Sequence, residues 1–394
     1  MTKQSEITPT GHGARWDRTD LERRVAYVFE RKMRVRAERG PYSARTNAEV
    51  IQQLQRLFAA EGFGGVKITG VARMTGGASK EQFAFTLVHE GSASPERLVL
   101  RMDPTMGVVE TCRGREAQVL AALAGSVPVP PVRFVDADGI HLGQPGLITS
   151  FVPGVTKPSD AAIQAVSGVG INFGRWASIL APQFVDNLAR LHRFDWRSAH
   201  LPDFDAPAPG TTQAPLRQVN WWARVWEQDL VESLPVITLA ERWLRENAPV
   251  CADPVLIHGD YRVGNFMFEE PSGRISAILD WELAHIGDFH DDLAWSLQKL
   301  FLRRDEHGES LVCSLLPRDE YLARYTAATG NKIDPDVLHY YEVLNAWKCA
   351  VLALSTGCFA ARAGQSHQDL VLTWVALTGP VFMDQIVELI RGAR

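Results

Sequence analysis

Between residues 47 and 60 the apolar side chains Val50, Ile51, Leu54, Leu57 and Phe58 recur at helical spacing and stop at Gly62, which predicts a helix with one buried face. From Val66 the pattern becomes that of short strands. Val66–Met74, Gln82–Val88 and Arg97–Met102 read as strands separated by turns at Gly76-Gly77 and around Gly91–Pro95, a three-strand meander. A helix is predicted over 113–124, then a Pro-rich stretch at 128–131, then two further strands, Val132–Asp136 and Gly146–Phe151. Five strands with one helix inserted after the third make a small α+β lobe. Beyond Pro153-Gly154 the pattern turns helical, at 174–193, 219–230, 236–247, 318–329, 335–361 and 369–392, and only the block Val255–Trp281 reads as short strands. Upstream, 17–39 has the pattern of a charged helix ending at Gly40-Pro41, with acidic residues interleaved among basic ones. The chain therefore divides into an N-terminal extension with a charged helix (1–46), an N-lobe (47–152) and a C-lobe (153–394).

A length of 394 residues fits two lobes better than one core. Composition adds exclusions more than it adds identity. The apolar fraction of 46% and charged fraction of 22% are those of an ordinary folded protein, and a net charge of -5 offers no field for a polyanion, so no nucleic-acid partner is expected. Apolar stretches such as Val351–Leu354 fall short of a bilayer-spanning run and the N-terminus has no signal-peptide core; no membrane partner and a cytoplasmic location are expected. Five scattered cysteines with no CxxC pair read as reduced thiols. Monomer and homodimer both stay open.

The chemistry concentrates between Val255 and Trp295, VLIHGDYRVGNFMFEEPSGRISAILDWELAHIGDFHDDLAW. A strand, a loop, a strand, a Ser-Gly turn and a further strand ending in an aspartate place Asp260, Asn265 and Asp280 at the ends of adjacent short strands, from which they can converge. Phosphoryl transfer needs metal ions bridging phosphate oxygens and a carboxylate to orient the nucleophile. Mg²⁺ takes hard oxygen ligands and usually only one or two carboxylates beside substrate phosphates. Asn265 and Asp280 fit as metal ligands and Asp260 as the base.

HGDYRVGN followed by ILDWE resembles the catalytic loop and metal-binding aspartate of the aminoglycoside phosphotransferase and choline kinase-like superfamily, including the kinase-like domain linked to some acyl-CoA dehydrogenases. The resemblance implies a two-lobed, protein-kinase-like α+β fold, with a small antiparallel-sheet N-lobe and a larger, mostly helical C-lobe. It implies Asp260 as catalytic base, Asn265 and Asp280 on Mg²⁺, and His258 as a brace of the loop. Asp288 and Asp292 are expected to hold loop backbone or cap the next helix.

In the N-lobe, Met74-Thr75-Gly76-Gly77-Ala78-Ser79 resembles the phosphate loop of the same family, with Gly76 and Gly77 admitting backbone N–H groups and Ser79 available to a phosphate. Alternation puts Val99 and Arg101 on one strand face, matching the adenine-packing residue and phosphate-holding cation of kinases, with Arg in place of Lys. Glu116 is then the partner of Arg101, and the stretch from Ser150 to Val152 resembles the hinge that reads the adenine edge. The implied activity is transfer of the γ-phosphoryl group of ATP or GTP to a hydroxyl of a small molecule, a hydroxyacyl compound or an aminoglycoside-like acceptor. The alternative is a nucleotide-binding pseudokinase or assembly module without transfer, motivated by Arg101.

Overall fold

The computed structural model describes residues 16–392 apart from 38–42, 75–78, 90–93, 105–106, 108, 110, 162–167 and 364–368. Helix α1 (Arg23–Ala37) precedes α2 (Asn47–Ala60), whose start is fixed by a reciprocal capping box between Thr46 and Glu49. Strands β1 (Lys67–Arg73), β2 (Glu81–Val88) and β3 (Glu96–Met102) lead to α3 (Arg113–Leu123), then β4 (Val132–Asp136) and β5 (Gly146–Ser150). They form one antiparallel sheet in the order β1-β2-β3-β5-β4. Val50, Leu54, Leu57 and Phe58 of α2 pack with Phe83, Phe85, Leu98, Leu100 and Ile148 of this sheet as a core of their own. The period of β3 decides what faces the other way. Leu98, Leu100 and Met102 are buried in that core, leaving Val99 and Arg101 on the face turned toward α3.

The larger lobe contains α4 (Ala177–His192), α5 (Gln213–Asp229) and α6 (Pro235–Glu246). Next come β6 (Val255–Ile257), β7 (Phe266–Glu269), β8 (Arg274–Ile278), β9 (His285–Gly287) and α7 (His290–Ser296). Three short strands, β10 (Arg303–Arg304), β11 (Ser310–Val312) and β12 (Leu316–Pro317), lead into α8 (Arg318–Thr329) and α9 (Pro335–Val351). Helices α10 (Cys358–Ala363), α11 (Asp369–Leu377) and α12 (Gly379–Gly392) close the chain. Strands β6 and β9 pair, as do β7 and β8. The core of this lobe also takes in Ala117, Val119, Leu120 and Leu123 of α3, so that helix is packed as much on the C-lobe as on the sheet.

Four sequence expectations need correction. Short strands are not confined to Val255–Trp281, because β9 follows it and β10, β11 and β12 form a separate antiparallel sheet. The predicted helix 335–361 is interrupted by a π-helical turn over Leu352–Gly357, where Ser355 Oγ donates back to Val351 O at 2.6 Å and competes with the helical ladder. Two stretches, Pro335–Arg362 and Leu370–Gly392, are long and apolar enough to cross a bilayer, contrary to the expectation that no run qualifies. The first runs through α9, the π-helical turn and α10 and is mostly buried in the core, and the second is divided between α11 and α12. The charged helix begins at Arg23 rather than at residue 17.

Candidate active site

The loop after β6 turns at Gly259, whose φ is +82° and whose missing Cβ would stand 2.6 Å from Leu283 O, so only glycine fits there. One carboxylate holds the turn. Asp292, fully buried in α7, accepts the backbone N–H of His258 at 2.7 Å and of Gly259 at 2.8 Å, and His192 Nε2 donates to it at 3.1 Å. Burial disfavours its charge, but His192, then His258, outweigh that and hold Asp292 below the ordinary carboxylate range. His258 accepts the Asp260 N–H through Nδ1 at 3.1 Å and donates through Nε2 to Leu279 O at 2.9 Å. Burial lowers its pKa, so the ring is a neutral strut between the two loops rather than a base.

That strut presents Asp260 with three side-chain donors. Arg262 Nε and Trp295 Nε1 both reach Oδ1 at 2.7 Å, and Asn265 Nδ2 reaches Oδ2 at 2.6 Å. Burial raises the Asp260 pKa above its ordinary value, opposed by Arg262 and His258. Asn265 Nδ2 also donates to the Asp260 carbonyl at 2.9 Å, which spends the amide nitrogen and leaves Oδ1 as the free oxygen of that side chain. Leu279 N donates to Asn265 O at 2.7 Å and thereby sets the next residue, Asp280, beside the same loop. Asp280 sits in the left-handed region (φ 62°, ψ 55°) with its side chain 30% exposed.

From the N-lobe, Arg101 reaches across to this point. Its guanidinium bonds Glu116 Oε1 at 2.7 Å with one nitrogen and Asp280 Oδ1 with another. Burial opposes the charge, yet Glu116 and Asp280 keep the Arg101 pKa raised. Glu116 is shared with Arg113, which also bonds Glu282 Oε2 at 2.9 Å and lies 3.2 Å from Asp103. Lys80 pairs with Asp103 at 3.2 Å and Glu282 at 3.1 Å. Three cations thus face four carboxylates in one connected network. Glu282 is pushed far below the ordinary range because Lys80, Arg113 and Arg101 together outweigh its burial.

The structure therefore brings Asp260, Asn265, Asp280, Arg101 and Glu116 to one cleft between the sheet and the helical lobe. Val99 lies on the same face of β3, half-buried between Ala84 and Thr149. Ser79 is half-buried just before β2, while Gly76 and Gly77 lie outside the described residues. At the link between the lobes Ser150 N donates to Pro131 O at 2.9 Å, and Val152 follows, half-buried. Sequence reasoning missed Lys80, Asp103, Arg113 and Glu282 in the network, and Arg262 and Trp295 on Asp260. Glu282 and Trp295 lie inside the quoted motifs, but a spacing pattern does not disclose partners that are remote in sequence.

The profile described as "Phosphotransferase enzyme family" matches residues 70–341, which include every one of these groups. The chain belongs to the phosphotransferase enzyme family. Acyl-CoA dehydrogenase family member 11 of Gallus gallus is 36% identical over 199 residues, 47% of this chain and 25% of that protein. The chain spans a quarter or less of the length of the first curated relatives it matches. A Ralstonia eutropha protein assigned as an aminoglycoside phosphotransferase superposes with a TM-score of 0.60 at 23% identity, covering 88% of this chain and 99% of that one. A thermostable mutant of aminoglycoside phosphotransferase APH(4)-Ia, solved as a ternary complex with AMP-PNP and hygromycin B, gives a TM-score of 0.52 at 14% identity, covering 84% and 98%. The likeness to these solved structures establishes the two-lobed α+β fold of this chain.

Proposed function

We propose that this protein transfers the γ-phosphoryl group of ATP or GTP to a hydroxyl of a small molecule, with Mg²⁺, in the cytoplasm. The observation that carries the reading is the convergence of a hydrogen-bonded carboxylate, Asp260, with the oxygens of Asn265 and Asp280 and the cation Arg101 in one cleft. The donor set fits Mg²⁺: one amide oxygen with its nitrogen already spent and one partly exposed carboxylate, the hard and sparse set that this ion uses beside phosphates. When bound, the ion would neutralise charge on the phosphate oxygens. The AMP-PNP complex of the solved relative supports a nucleoside triphosphate as donor.

In this reading Asp260 accepts the proton of the acceptor hydroxyl, and its raised pKa brings its basicity closer to that task. Arg262 and Trp295 hold its Oδ1 and Asn265 its Oδ2, which fixes the carboxylate plane. Arg101, steadied by Glu116, holds phosphate oxygens in place of a lysine. Val99 faces the adenine, the stretch from Ser150 to Val152 reads its edge, and Gly76, Gly77 and Ser79 cover the phosphates. Likeness to acyl-CoA dehydrogenase family members motivates hydroxyacyl compounds as acceptors, and likeness to aminoglycoside phosphotransferases motivates aminoglycosides.

The test is Mg·ATP binding by calorimetry together with ADP release over a panel of hydroxylated acceptors. Asp260→Asn is expected to leave Mg·ATP affinity nearly intact and to cut turnover by about 10²–10⁴, because a base acts on the transition state. Asp280→Asn is expected to weaken both. Wild-type protein that binds Mg·ATP, phosphorylates no acceptor in the panel and matches Asp260→Asn would identify a binding module instead.

A further inference from the structure

Residues 16–37 lie upstream of the family match, yet they are riveted to both lobes. On the C-lobe side Arg18 donates to both carboxylate oxygens of Glu241 in α6 at 2.9 and 2.8 Å. Lys32 and Arg36 both grip Asp229 of α5, at 2.8 and 2.6 Å, and that carboxylate is completely buried. Burial alone would raise the Asp229 pKa; the two cations overcome this and lower it. A buried carboxylate with two cations supplied by one helix ties α1 firmly to α5, because removing such partners leaves an uncompensated charge.

Further attachments of the segment reach α3. Glu22 pairs with Arg115 at 3.0 Å, both side chains 7% exposed. Arg24 Nε donates to Sγ of Cys112, the residue capping α3, at 3.0 Å. Arg115 adjoins Glu116 in sequence, and its Nη2 donates to Ala284 O at 3.1 Å, on the loop that begins at Asp280. Glu22 also accepts from Asp205 N at 3.2 Å. One carboxylate from the upstream segment therefore fixes an arginine that spans α3 and the Asp280–Ala284 loop.

We propose that residues 16–37 are an intramolecular clamp that holds α3, and through it the Glu116–Arg101 pair, against the loop carrying Asp280, with Glu22 and Arg115 as positioning residues for nucleotide binding. The clamp rests on the phosphotransfer reading above for its consequence, but its mechanical part does not. Because α3 packs into the C-lobe core while its Glu116 serves a strand of the sheet, its setting decides whether Arg101 faces Asp280. In protein kinases the corresponding lysine and its glutamate must be in place together.

The full chain carrying Glu22→Gln, and separately Arg24→Gln, is compared with wild type by hydrogen exchange and by Mg·ATP titration. Amides of α3 are expected to exchange about tenfold faster in both variants while those of α6 and α9 keep their rates, since loss of a clamp is a local opening. The dissociation constant for Mg·ATP is expected to rise by about three- to tenfold. Arg115→Lys, which keeps the charge, should retain part of the protection. Arg197→Gln, which removes an exposed pair with Asp253, should change neither readout. Unchanged α3 exchange in both variants overturns the clamp, as does a uniform rise across α3, α6 and α9. Faster α3 exchange with unaltered Mg·ATP affinity overturns the positioning role. If wild type binds no Mg·ATP, the phosphotransfer reading has failed, and exchange alone decides the clamp.

Discussion

The two walls of the cleft are held by different physics. On the C-lobe wall the loop of Gly259 and Asp260 hangs on backbone N–H donors to one buried carboxylate, Asp292, with His258 as a neutral strut. On the N-lobe wall Lys80, Arg101 and Arg113 hold Asp103, Glu116, Asp280 and Glu282 through side chains alone. Backbone hydrogen bonds to a buried group fix geometry, since each donor left unmade carries its full desolvation cost. Ion pairs between side chains can exchange partners when phosphates and a metal arrive. For the proposed phosphoryl transfer this would leave the base fixed and the phosphate-binding cations able to re-partner.

The largest effect that would sharpen this contrast is expected from Asp292→Ala, which strips the acceptor from two backbone donors and from His192. Unfolding free energy, measured by denaturant titration, should fall by about 3–5 kcal/mol. Arg101→Met strikes the other wall. It should weaken Mg·ATP binding by about 1.5–3 kcal/mol, tenfold or more by calorimetry, with Glu116 still paired to Arg113. Equal losses of fold stability in the two variants would break the distinction.

A pH series tests the C-lobe wall through Asp292. Asp292 has a folded-state pKa below its ordinary 3.8, so its charge contributes stability above that value and the contribution is lost as pH falls through the folded pKa. Acid unfolding curves of Asp292→Asn should be flatter in that window than those of wild type. The smallest effect is expected from Trp295→Phe, which removes one of the donors on Asp260 Oδ1. Turnover should fall by roughly tenfold or less while Mg·ATP affinity holds, in a steady-state assay with a responsive acceptor.

The N-lobe was legible because its signals are local. Thr46 and Glu49 mark a helix start three residues apart, and the period of two in β3 sorts Arg101 from Leu100 without any knowledge of partners. Helices α2 and α8 have the bounds their apolar spacing predicts. The strands β10 and β12 are two residues each, Arg303-Arg304 and Leu316-Pro317, too short to carry any period. The network around Arg113 escaped for another reason. Glu282 is 169 residues away in the chain, and a charged residue in a sequence looks the same whether it ends in solvent or in a buried pair. The Trp221–Trp222 pair is buried, whereas Trp295 makes a polar contact that its place in a helical motif did not disclose.

The left-handed backbone at Asp280 bears on how such a site tolerates change. A residue with a Cβ pays for φ 62° unless its side chain is short and polar, so Asp and Asn are at ease there and Ala is not. Replacing Asp280 by alanine would therefore damage two things at once, the carboxylate and the turn that aims it, and would overstate the part played by charge. Asparagine separates them. For the same reason mutational drift at this position has few exits: among the side chains that the backbone accepts comfortably, aspartate alone carries a charge.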